Sequence, residues 1–153
     1  MAGYSIMDLG CGHGDLKPFL DERYPDITYL GVDFLPEFIV EAKHRYSNLP
    51  NTHFLQVDFL NAEFPNVDVI IASGSLNYRS ENALHPFQTI EKMWRSSQKG
   101  IAFNLPDASK IEEDPLIQGR NPQEILDFCR KLDPQAELHT DYLPDDFAIL
   151  MHH

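Results

Sequence analysis

Asp8-Leu9-Gly10-Cys11-Gly12-His13-Gly14 is the stretch on which the fold turns. Ahead of it, residues 4–9 form a short run of strand length; behind it, Leu16, Phe19 and Leu20 fall on one face of a helix. Three glycines at alternate positions let the backbone bend sharply and approach a ligand with no Cβ in the way. The following helix offers unpaired amides and the positive end of its dipole. Strand, glycine turn and helix in that order are the setting a ligand-binding loop requires, although a tight turn that binds nothing shares the pattern.

Strand and helix go on alternating outward from this point. Pro18 is tolerated in the first helical turn, and Pro25 stops that helix. A second strand, Ile27 to Val32, ends at Asp33; Pro36 then opens a helix on which Phe38, Ile39, Ala42 and Tyr46 recur. Residues 53–57 read as a third strand closing at Asp58. Val67-Asp68-Val69-Ile70-Ile71-Ala72 has the β-branched, apolar character of a central parallel strand. Phe87, Ile90, Met93 and Trp94 mark a helix that Gly100 breaks before a fifth strand, Ile101 to Leu105. Asn121-Pro122-Gln123-Glu124 is a helix start with a capping Asn, and Ile125, Phe128 and Leu132 form its buried stripe. Residues 136–143 and 147–152 are strands joined by Pro144-Asp145-Asp146, a link too short for anything but an antiparallel hairpin. The fold expected is a single α/β domain: a Rossmann-like three-layer sandwich around a seven-stranded, mostly parallel sheet with one reversed strand from the terminal hairpin.

Acidic residues stand at the tips of these strands. Asp33 closes the second strand, 19 residues beyond Gly14, where a carboxylate accepts hydrogen bonds from both hydroxyls of a ribose. Asp58 closes the third, so both belong to the sheet edge that carries the glycine turn. Solvated strand-end carboxylates are common one at a time; several beside a glycine turn point to a shared site.

Composition narrows the partners. Twelve basic against 24 acidic residues give a formal net charge of −12, with no arginine-rich stripe. Nucleic acid and anionic membrane surfaces, which are bound largely by clustered Lys and Arg, are therefore not expected partners. No apolar run reaches the roughly 18 residues of a membrane span, and residues 1–5 lack the pattern of a signal peptide. Two distant cysteines, Cys11 and Cys129, imply no disulfide and fit a reducing cytoplasm. The seven histidines show no metal-ligand spacing apart from the terminal pair His152-His153, native or the remnant of a purification tag; no metal is expected.

Asp8 through Gly14 resembles the Asp/Glu-x-Gly-x-Gly-x-Gly signature of class I S-adenosylmethionine-dependent methyltransferases. The resemblance extends through Gly31-Val32-Asp33, Asp58-Phe59, residues 67–73 and the hairpin Asp141 to Phe147, and so covers nearly the whole chain. It implies S-adenosylmethionine as cofactor and S-adenosylhomocysteine as product. By position, Asp8 would reach the ammonium end directly or through water, and Gly10, Cys11, Gly12 and Gly14 would line the methionine moiety. Asp33 would bind the ribose, Phe34 would cover an adenine face, and Asp58 with the Phe59 backbone would meet the adenine amino group. Ser73 and Gly74 would complete the amino-acid end. For Phe34 and Phe59 core packing is an equal reading, and the Cys11 thiol itself reads as a small packing group rather than a nucleophile.

The chemistry asks little of the protein, because a sulfonium methyl is already electrophilic; a nucleophile must be held in line and water excluded. Asn77, Tyr78, Arg79 and His85, after the fourth strand, are candidates for orientation or proton transfer, against a plainer reading as loop or surface groups. A small molecule is the favoured acceptor, with a protein the alternative. A nicotinamide-dependent oxidoreductase is disfavoured, since Gly-x-Gly-x-x-Gly started at Gly10 ends on Asp15 and started at Gly12 ends on Lys17. A non-catalytic cofactor-binding or partner subunit is the other reading. Members of the resembling family usually carry helical segments before the first strand, and those are expected to be missing here. Oligomeric state is not legible.

Overall fold

The computed structural model describes Gly3 to His153. Its elements are β1 (Ser5–Leu9), α1 (Leu16–Asp21), β2 (Thr28–Asp33), α2 (Pro36–Arg45), β3 (Thr52–Gln56), β4 (Val67–Ala72), α3 (Phe87–Ser96), β5 (Ser97–Pro106), α4 (Pro122–Leu132), β6 (Glu137–His139) and β7 (Asp146–His152). They build one seven-stranded sheet in the order β3-β2-β1-β4-β5-β7-β6. The pairs among β1 to β5 are parallel, and β7 runs antiparallel to both β5 and β6. This is the mostly parallel α/β sandwich with a reversed strand that the alternation implied. The strand order reverses between β1 and β4, which places the crevice for a ligand at the carboxyl ends of those strands.

Period-two alternation distributes β1 between two cores. Met7 and Leu9 join the larger one, with Ile90 and Met93 of α3, Ile125 and Cys129 of α4, and Phe147, Ile149 and Met151 of β7. Ile6 faces the opposite layer, with Leu20, Ile39 and Ala42 of α1 and α2 and with Tyr29 and Phe54. Asp8 shares that second face by parity, so a carboxylate is carried into an otherwise apolar layer. Asn121 caps α4 as its sequence context required, its side-chain oxygen accepting from the amides of Gln123 at 2.9 Å and Glu124 at 3.3 Å.

Several expectations shift. Phe19 is exposed rather than on the buried face of α1, and the Arg23 guanidinium lies 3.8 Å over its ring. α1 already ends at Asp21, ahead of Pro25. Gly100 breaks no helix: α3 stops at Ser96, and Gly100 lies within β5, where a Cβ would fall 2.2 Å from the Met151 carbonyl oxygen. The first hairpin strand is only three residues long, because residues 140–145 bend into a turn on which the Tyr142 hydroxyl donates to Asp146 at 2.8 Å. His153, exposed, stacks on Trp94 with ring centroids 3.6 Å apart.

Candidate functional site

The glycine turn uses its glycines for two different reasons. Gly10, Gly12 and Gly14 all have positive φ, at 75°, 53° and 83°, a region L side chains enter at a cost. At Gly10 a Cβ would stand 2.2 Å from Ser75 Cβ, and at Gly14 it would strike the Phe54 and Tyr46 rings at 2.9 Å. Those two are bare because the protein packs against them. At Gly12 a Cβ would meet nothing within 4 Å, and the same holds for Gly74 (φ 71°) beyond β4. These two turns lie past the ends of neighbouring parallel strands; the Gly12 and Gly74 amides are held by Asp33 at 2.9 Å and Asn104 at 2.7 Å, while their Cα positions face open space. The space beside them can admit a ligand.

Behind the turn lies Asp8, 2% exposed. Its carboxylate accepts the Tyr29 hydroxyl, and burial pushes its pKa up from 3.8 to about 6; the Tyr29 bond opposes the rise and the nearby Asp33 charge adds to it. Gly31 lies opposite Asp8 in register, and a Cβ there would hit the Phe54 ring and the Cys11 sulfur, at 2.7 Å and 2.9 Å. The Cys11 thiol is thus a packing group of the α1/α2 layer, its pKa raised by burial and then by Asp8 and Asp33. Its backbone belongs to the turn: the amides of Gly10 and Cys11 share the Val32 carbonyl at 2.8 Å and 2.9 Å.

Asp33 ties this turn to the next one. One oxygen accepts the Gly12 amide at 2.9 Å, the other the Leu35 amide at 3.0 Å, and each keeps lone-pair capacity for a further donor. Beside it the Phe34 ring is 58% exposed, which excludes the core-packing reading. Phe34 lines a cavity of about 370 Å³ together with Asp58, Phe59, Ser75, Tyr78 and His85. Arg79, Ser80 and Leu60 complete the wall. Asp58 stands two residues beyond β3 rather than at its tip; it organises its own turn, accepting from the Leu60 amide at 3.1 Å and the Asn61 side chain at 2.6 Å.

The loop after β4 separates the weaker candidates. Tyr78, Arg79 and His85 face the cavity with Phe34, whereas Asn77 lines a second cavity of about 430 Å³ bordered by Pro106, Glu112, Asp114 and Asp146. The Asn77 side-chain oxygen is buried without a partner, the one such atom among the described residues. His85 is buried, with Nδ1 3.0 Å from the Thr89 hydroxyl; burial first and the Arg120 charge second depress its pKa. Neutral imidazole is the state suited to accepting a proton. Asp8, Gly10, Cys11, Gly12, Gly14, Asp33, Ser73 and Gly74 do not line the Phe34 cavity; Asp8 lies in β1, and Asp33 closes β2 immediately before Phe34.

Sequence reasoning missed three contributors. Tyr29, the partner of Asp8, reads as an ordinary strand aromatic. Ser75 hydrogen-bonds the Leu9 carbonyl and so locks the β4 loop onto the end of β1. Residues 107–120 belong to no element read from the sequence, yet they roof the β4 loop: Arg79 and Gln118 amides bond the carbonyls of Leu116 and Asn77 at 2.8 Å and 2.7 Å. An Asx turn at Asp114, accepting the Leu116 and Ile117 amides, was the available clue.

Residues 6–100 match the methyltransferase domain family. "Putative methyltransferase Rv1506c" of Mycobacterium tuberculosis is 32% identical over 97% of this chain and 92% of its own length. Trans-aconitate 2-methyltransferase of Methylobacterium nodulans is 34% identical over 67% of this chain, but this chain spans only 38% of it. Human N-acetylserotonin methyltransferase, solved in complex with SAM, superposes with a TM-score of 0.74 at 19% identity, over 97% of this chain and 47% of that one.

Proposed function

This chain belongs to the methyltransferase domain family, and on that premise we propose that it transfers the methyl group of S-adenosylmethionine to a small-molecule acceptor. The observation that carries the reading is the pair of left-handed glycines, Gly12 and Gly74, opening on free space beside a cavity walled by an exposed Phe34 and the Asp58-Phe59 turn. Bare backbone, an aromatic face and a carboxylate with spare lone pairs suit an adenosyl group bearing an amino acid.

In this reading Asp33 holds the ribose hydroxyls while its two amide bonds fix the turns on either side. Phe34 covers an adenine face, and Asp58 with Phe59 closes the far wall. Gly10, Gly12 and Gly14 with Ser73 and Gly74 shape the amino-acid end. Asp8, sealed behind the turn, acts through its field on the ammonium end rather than by direct contact, and the Cys11 contribution is its backbone. Bound there, the cofactor supplies an electrophilic methyl that needs no further activation. The protein orients the acceptor, excludes water and takes up a proton where the acceptor loses one. His85, neutral and on the cavity wall, is the best-placed group for that last task, and Tyr78 and Arg79 are placed to orient the acceptor. The cytoplasm is the compartment we assign; no helix among the described residues is long and apolar enough to cross a membrane.

Thermal-shift titration with S-adenosylmethionine, S-adenosylhomocysteine and NAD tests the cofactor, because a ligand binding only the folded state raises the melting temperature with concentration. Shifts with the first two and none with NAD are expected, and Asp33→Ala is expected to remove most of the response. S-adenosylhomocysteine release with a panel of small acceptors distinguishes an enzyme from a cofactor-binding subunit that turns nothing over.

A further inference from the structure

Lys92 is a cation in the second turn of α3 that the chemistry above does not use. Its ammonium reaches across to the β3–β4 connection and donates to three backbone carbonyls, Phe59 at 2.9 Å, Leu60 at 3.2 Å and Ala62 at 2.8 Å. An ammonium has three hydrogens, and three carbonyls accept them. The same nitrogen lies 4.8 Å from the centroid of the Phe64 ring. On the other side of the turn the amides of Asn61 and Ala62 bond the Asp58 carbonyl at 3.1 Å and 2.9 Å, and Asp58 itself binds the Leu60 amide and the Asn61 side chain. The turn is therefore held twice: its amides by Asp58 from within, its carbonyls by Lys92 from α3.

Asp58, Phe59 and Leu60 line the Phe34 cavity and Lys92 does not. We propose that Lys92 is a positioning residue for the cofactor, a clamp that sets the wall against which the adenine rests; this rests on the adenosyl reading of that cavity. Released from Lys92, the three carbonyls turn to water and the wall samples several positions, so binding has to order it again. α3 and the turn are far apart in sequence, and no other cation makes a side-chain hydrogen bond to these carbonyls among the described residues. Charge-assisted bonds of this type are stronger than neutral ones, which makes a single ammonium sufficient. Arginine is a poor substitute, because its planar fork does not converge on three carbonyls as an ammonium does.

Lys92→Met and Lys92→Arg, compared with the unsubstituted protein, test the clamp by two readouts. The first is calorimetric titration with S-adenosylhomocysteine. The second is amide hydrogen exchange of the free protein. The clamp predicts a roughly tenfold weaker affinity in Lys92→Met, a smaller loss in Lys92→Arg, and faster exchange confined to residues 58–64 in both. Undiminished affinity in a folded Lys92→Met protein overturns the proposal. So does exchange accelerated evenly over the whole chain, which would make Lys92 a general stability group. If the unsubstituted protein binds no S-adenosylhomocysteine, the adenosyl reading itself fails, whatever the exchange at 58–64.

Discussion

Replacing Asp8 by Asn is predicted to make the free protein more stable at neutral pH. The Asp8 side chain is sealed in the α1/α2 layer with the Tyr29 hydroxyl as its hydrogen-bond donor, and its pKa is raised from 3.8 to about 6. An acid whose folded pKa lies above its unfolded value binds protons more readily when folded, so stability falls as pH rises between about 4 and 6 and stays reduced above that. A rise of about two units at 1.36 kcal/mol each sets an upper limit of about 3 kcal/mol for the cost of ionised Asp8 at pH 8. Asn never ionises and still accepts the Tyr29 hydroxyl, but it introduces amide hydrogens into a dry site at roughly 1 kcal/mol or more. The net expectation at pH 8 is a gain of about 1–2 kcal/mol. For a domain of this size that is roughly 2–8 °C in melting temperature. Urea unfolding of both proteins without ligand, at pH 4 and pH 8, is the assay. The two should be nearly equal, or Asn slightly worse, at pH 4, with Asn ahead at pH 8, while Asp8→Asn binds S-adenosylmethionine more weakly. An offset that is the same at both pH values refutes the argument that buried charge is what costs stability here.

The two kinds of glycine give opposite phenotypes. Gly10→Ala drives a Cβ to 2.2 Å from Ser75 at positive φ and should cost about 3 kcal/mol or prevent folding. Gly12→Ala meets open space, so denaturation should register only about 1–2 kcal/mol of backbone strain, yet S-adenosylhomocysteine titration should show most of the affinity gone. Phe34→Ala removes a ring that is largely in water; the melting temperature should move little while cofactor affinity drops roughly tenfold, the scale of one aromatic–base stack. Asn121→Ala deletes the α4 cap and should cost about 1 kcal/mol in urea unfolding without altering cofactor binding.

Much of this was legible because local signals and the global fold agree. The glycine turn sits between a strand and a helix as expected, Pro36 and Asn121-Pro122 open helices where their chemistry favours it, and the link between the last two strands, six residues in the fold, is too short for anything but a hairpin. The illegible parts depend on contacts across the sheet. Nothing along the chain pairs Tyr29 with Asp8, 21 residues earlier; that pairing comes from the parallel register of β1 and β2 and from the bare Gly31 opposite. Gly100 looked like a breaker because its reason, the close approach of Met151, lies 51 residues away. Asn77 parts from Tyr78 and Arg79 because residues 107–120 close over the β4 loop and divide one edge of the sheet into two cavities.

A crystal structure with S-adenosylhomocysteine is the most direct measurement of all. Adenine lying against Phe34 and the 58–60 turn, with ribose hydroxyls on Asp33 and the amino-acid end over Gly12 and Gly74, is the arrangement expected. A ligand seated instead among Asn77, Glu112 and Asp146, with the glycine turn untouched, would contradict it.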